Sequence, residues 1–119
     1  MAAVRTVGDL RRLFLALDRV FFDRGCQAAG IRVRWKPFRS VKGAVHFAEF
    51  DIERKVIRVN AFMSDADVPE YVVSAVLFHE MLHHFFGYDH DAKFQKAEHR
   101  HPYFYEAEEW TSNYVLEHS

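Results

Sequence analysis

Cysteine is nearly missing from this sequence: Cys26 is the only one. A lone thiol excludes an internal disulfide and a cysteine-built zinc ribbon, and it suits a reducing cytosol. Proline and glycine are scarce too, at three and five residues, and they stand singly, so no linker or low-complexity tract divides the chain. Neither sign of charge dominates, since 16 basic and 17 acidic residues leave a formal net charge of -1. That balance supplies no global field toward nucleic acid or a membrane surface. The start, Met1 to Phe22, lacks a long apolar run because Arg5, Asp9, Arg11, Arg12, Asp18 and Arg19 interrupt it. No signal segment or membrane span is expected there, and a cytoplasmic protein is expected.

What is present is apolar mass. Half of the 119 residues are hydrophobic, enough for one core, so residues 1–119 are expected to form a single domain. Thr6 with Asp9 predicts a helix start, and Leu10, Leu13, Phe14, Leu17, Val20 and Phe21 recur at helical spacing behind it. Gly25 and Gly30 are expected to end that helical region, with Cys26 in the core. Ile31 to Trp35 alternates apolar and basic residues and predicts a strand that stops before Pro37. Val45 to Phe50 and Lys55 to Asn60 predict two more strands joined by a polar turn, which gives a small, mainly antiparallel three-stranded sheet. Arg32, Arg34, Lys36, Arg39 and Lys42 form a basic stretch, read as a solvated face because few aromatics interleave it.

The chemistry is concentrated in His79-Glu80-Met81-Leu82-His83. Residues i and i+4 share a helix face, so both imidazoles can reach one metal ion, and Glu80 stands off where it can take a proton from water that the metal activates. The preceding Val72-Val73-Ser74-Ala75-Val76-Leu77-Phe78 carries no Gly or Pro and predicts a buried helix, started by Asp67 as N-cap with Pro69 and Glu70 in its first turn. Two His on one face can also be plain surface residues. The flanking Phe78, Leu82, Phe85 and Phe86 argue for a semi-buried pair, where unpartnered imidazoles are costly.

A catalytic zinc takes three side chains and keeps one position for water. Gly87 predicts the helix end, after which His90 is placed to return over the metal as the third ligand. Six residues separate His83 from His90, one more than in the metzincin pattern HExxHxxGxxH, and no Met follows. His99 and His101 are competing imidazoles, read as surface or capping residues. Glu106, Glu108 and Glu109 are competing carboxylates for a gluzincin-type site. A short helix from about Asp91 to Arg100 and a last helix from near Pro102 are expected, the latter with Trp110, Tyr114 and Leu116 as apolar contacts. His46 is expected in mid-strand, and Tyr88, Tyr103 and Tyr105 are candidates for a phenol that steadies an oxyanion.

From Val56 to Asn113 the chain resembles the SprT-like family of zinc metallopeptidase domains, particularly its short stand-alone members. The matching pattern is Ile57-Arg58-Val59-Asn60, then Val68-Pro69-Glu70-Tyr71-Val72-Val73, His79 to His84, His90-Asp91-Ala92-Lys93-Phe94, Pro102-Tyr103, and Ala107 with Trp110. The resemblance implies a zincin-like α+β fold whose sheet packs on the HExxH helix, flanked by an N-terminal helix and C-terminal helices. It also implies Zn2+ on His79, His83 and His90, with Glu80 as general base. Such an enzyme would hydrolyse an extended or unfolded polypeptide. A zinc-binding scaffold of the same fold with little activity is the alternative, and a nucleic-acid-guided protease is a weaker one that rests on the basic stretch alone.

Overall fold

Thr6 and Asp9 form the capping box that opens helix α1 (Val7–Phe21). The Asp9 N–H donates to Thr6 Oγ1 at 3.0 Å, and Asp9 Oδ2 accepts from the Thr6 N–H at 3.0 Å. The backbone donors of Thr6 and Arg5 hold the Asp9 carboxyl down at about 2. In the computed structural model, which describes residues 3–39 and 44–118, the α1 stripe buries Leu10, Phe14 and Leu17. Asp18 is fully buried among them. Its carboxylate accepts from the N–H groups of Cys26 at 2.9 Å and Gln27 at 2.8 Å, and so anchors a short helix α2 (Gly25–Ala28). Gly25 therefore opens a helical turn instead of closing one. A Cβ there would lie 3.0 Å from the Phe85 ring.

Strands β1 (Arg32–Lys36), β2 (Ala48–Asp51) and β3 (Val56–Asn60) form a sheet of order β1-β3-β2. β2 and β3 make the expected antiparallel hairpin, but β1 pairs with β3 in parallel. The sheet is thus mixed where the sequence predicts a mainly antiparallel one. The chain reverses between β1 and β2 and again between β2 and β3, which restores the direction of β1. β3 takes the centre because all of its residues are buried, as befits a strand covered on both faces. Its Arg58 survives burial because the guanidinium donates to Glu49 Oε2 at 2.6 Å and Asp51 Oδ2 at 3.2 Å. β2 starts at Ala48, so His46 lies just ahead of the strand. Arg32 and Arg34 are exposed, and Lys42 of the basic stretch lies outside the described residues.

A 3₁₀ turn (Ala61–Ser64) leads to helix α3 (Glu70–Phe86). The expected Asp67 cap does not form: the Asp67 N–H donates to Asp65 Oδ1 at 2.9 Å, and Pro69 is the N-cap. Proline suits that position because its φ is fixed and it brings no N–H to satisfy. A cap contributes about 1 kcal/mol, whereas each large buried side chain contributes about 1.5–3 kcal/mol. Packing of Val72, Val73, Leu77, Phe78, Met81 and Leu82 against the α1 stripe and the sheet therefore sets the position of α3. Helices α4 (Ala92–Glu98) and α5 (Phe104–His118) complete the chain. Tyr114 of α5 stacks on Phe62 with ring centroids 4.6 Å apart, but Leu116, expected as a contact, is 75% exposed. Among the described residues no helix is long and apolar enough to cross a membrane.

Candidate metal centre

His79 and His83 stand one turn apart on α3, with ring centroids 5.0 Å from each other. The helix ends at Gly87, whose φ of 78° and ψ of -169° would cost any other residue about 1–3 kcal/mol. Held that way, the Gly87 N–H donates to the His83 carbonyl at 3.0 Å, and its own carbonyl accepts from His83 Nδ1 at 2.7 Å. The proton of His83 therefore sits on Nδ1, and the Nε2 lone pair faces the loop. That loop brings His90 Nε2 to 3.2 Å from His83 Nε2. The donor atoms of His79, His83 and His90 all lie within 4.8 Å of one another.

Phe94 is the floor of this triad. It is fully buried, with its ring centroid 5.0 Å from His79, 4.7 Å from His83 and 4.9 Å from His90. Asp91 starts α4 by accepting from the Phe94 N–H at 3.0 Å, and Gln95 Nε2 donates to the His90 carbonyl at 3.0 Å. One turn beyond Phe94, Glu98 Oε2 lies 2.5 Å from His79 Nδ1. That contact fixes the proton of His79 on Nδ1, so Nε2 is the nitrogen left to bind.

The arrangement passes a chemical test for a metal. Two imidazole lone pairs facing each other repel unless a cation or proton lies between them. Zinc–nitrogen bonds of about 2.0–2.1 Å in a tetrahedron put neighbouring nitrogens roughly 3.3 Å apart, close to the 3.2 Å between His83 and His90. Burial pulls the His79 pKa down, but the Glu98 contact and the nearby Glu80 outweigh it, and the net shift is upward. His83 shifts downward through burial, against the Gly87 carbonyl. Glu80 is 9% exposed. Burial pushes its carboxyl up to about 7; His79 opposes this, while Glu49 and Glu98 add to it.

The other sequence candidates lie elsewhere. His99 is exposed and packs on Phe104, with ring centroids 4.1 Å apart. His101, expected at the surface or in a cap, is buried at 4% exposure. Its Nδ1 accepts from the Tyr103 N–H at 3.1 Å and its Nε2 donates to Ser74 Oγ at 2.8 Å. The imidazole proton thus points at the hydroxyl, which removes Ser74 as an activated nucleophile. Glu106, Glu108 and Glu109 are exposed on α5, and the donor cluster among the described residues contains imidazoles alone. His46 is exposed and stacks on Phe38 at 4.5 Å. Tyr88, Tyr103 and Tyr105 are 59%, 47% and 71% exposed; of their described ring contacts, one reaches the triad, Tyr88 to His83 at 6.0 Å.

No protein-family model and no curated protein matches the sequence. In fold, the chain is similar to the metallopeptidase zymogen jannalysin of Methanocaldococcus jannaschii, whose crystal structure superposes with a TM-score of 0.62 at 17% identity over 95% of this chain and 96% of that one. The chain has the α+β fold of a small zincin-like metallopeptidase. The likeness is one of fold, not of sequence.

Proposed function

We propose that this chain is a zinc-dependent metallopeptidase of SprT-like type, working in the cytoplasm on an extended or unfolded polypeptide. The observation that carries the reading is the convergence of three imidazole donors within 4.8 Å beside a buried carboxylate. An all-nitrogen set of three ligands suits zinc with one position left for chemistry. His79, His83 and His90 would hold the ion, which when bound supplies Lewis acidity that activates water and polarises the scissile carbonyl.

The protein's own groups do the rest. Glu98 and the Gly87 carbonyl hold two of the imidazoles by Nδ1, so both present Nε2 without reorganisation. Glu80 takes a proton from the attacking water and returns it to the leaving amine, two tasks served by a pKa near neutrality. β2 is an edge of the sheet, and an extended substrate can add to it as a further strand.

The test pairs metal content with cleavage. The parent should hold about one zinc per chain, His90→Ala should lose it, and Ala at Glu106, Glu108 or Glu109 should not. Glu80→Gln should keep zinc and fold while cleavage of casein falls by on the order of 10²-fold or more. Equal cleavage by parent and Glu80→Gln would sink the assigned base. Zinc without cleavage by the parent would favour a scaffold.

A further inference from the structure

Beside Glu80, between α3, α5 and the approach to β2, lies a cavity of about 340 Å³. Ala75 and Val76 form one wall. They precede His79 and Glu80 by four residues and so share their faces of the helix, about 6 Å away along the axis. Phe47, Ala48, Phe78, Phe104 and Ala107 supply the remaining apolar surface. The space exists because alanine stands at 75 and 107, where a longer side chain would fill it.

Several polar groups on the cavity wall are already engaged. His101 is bound to Ser74 and the Tyr103 N–H, Glu98 contacts His79, and Thr111 Oγ1 donates to the Glu108 carbonyl at 3.1 Å. An entering group therefore meets chiefly apolar surface. Three acidic residues, Glu80, Glu98 and Glu108, also border the cavity, and together they oppose the entry of a further acid. Successive side chains of an extended chain point to opposite sides, so a peptide lying along β2 can send one side chain inward while its neighbours face away.

We propose that this cavity receives a large apolar side chain of the polypeptide, next to the bond to be cleaved, and turns acidic side chains away. The proposal rests on the peptidase reading above and names the substrate class of that site. Ala75 and Ala107 set the size limit, and Glu108, exposed at the rim, contributes to the charge selection.

Two measurements on the zinc-loaded protein decide it. In the first, N-acetyl-phenylalanine amide and N-acetyl-aspartate amide are titrated while the Ala75 and Ala107 methyl resonances are followed, which needs no turnover. The phenylalanine amide should shift both methyls saturably and the aspartate amide neither; no shift with the phenylalanine amide overturns the proposal. In the second, a peptide library is digested and the cleavage sites are read by mass spectrometry. Ala75→Leu should cut cleavage at large apolar residues by about 10- to 100-fold while sparing small ones. Glu108→Lys, an exposed change that keeps the test decidable if Ala75→Leu fails to fold, should raise cleavage at acidic residues. A preference that ignores both substitutions overturns the proposal. Methyl shifts without any cleavage by the parent would instead refute the peptidase reading and leave the cavity as an apolar side-chain site.

Discussion

Glu98 acts on the triad from behind. Its contact with His79 Nδ1 at 2.5 Å both selects the tautomer and blocks rotation of the ring. Carboxylates placed this way raise ligand basicity, and their loss typically costs 10–100-fold in metal affinity. Glu98→Gln should therefore weaken zinc retention by about that factor in a chelator competition, with far-ultraviolet circular dichroism unchanged; unaltered retention would show that packing alone orients His79. The clustering of His79, His83 and His90 was legible in the sequence because i, i+4 spacing is local geometry and Gly87 announces the turn to His90. Glu98 was not, because its reach to His79 depends on how α4 docks. A partial signal existed: Asp91 is a good cap, and it puts Phe94 and Glu98 on one face of the helix that follows.

At the scale of elements, the joint between α1, α2 and β1 depends on Asp18. Its carboxylate serves the Cys26 and Gln27 N–H groups, and its carbonyl accepts from Phe22 and Arg24 at 3.0 Å each. Asp23 and Arg24 both take positive φ there, a conformation that needs support. Asp18→Ala would leave buried donors without partners and should cost about 3 kcal/mol, measured as a lower urea midpoint with an unchanged slope; a loss under 1 kcal/mol would mean that water replaces the carboxylate. Sequence periodicity located α1, α3 and the β2–β3 hairpin because each is set by neighbours along the chain. It did not reveal that β1 joins in parallel, since strand order depends on which strand has both faces covered. Nor did it reveal Pro69 as the cap, because Asp67 satisfies the same local rule yet spends its backbone on Asp65.

For the whole molecule, His101 couples folding to pH. Burial lowers its pKa below the unfolded value of 6.5, with Glu106 opposing. As pH falls below 6.5 the unfolded chain takes up this proton first, so the His101 contribution to stability is present above 6.5 and is lost as pH falls through the lower, folded value. His79 shifts upward and works in the opposite sense, so the comparison must cancel it. In metal-free protein the stability gap between parent and His101→Asn should narrow from pH 7.5 to 5.5, read from urea midpoints; a gap independent of pH would refute the linkage. The buried thiol of Cys26 offers a way to watch the same process in time. It is 0% exposed, and burial raises its pKa, with Asp18 adding to the effect. A thiol reagent can reach it only when the α1–α2 corner opens, so the rate of labelling is a clock for that opening. With one cysteine in the chain, the clock has a single hand, and it should run faster in Asp18→Ala.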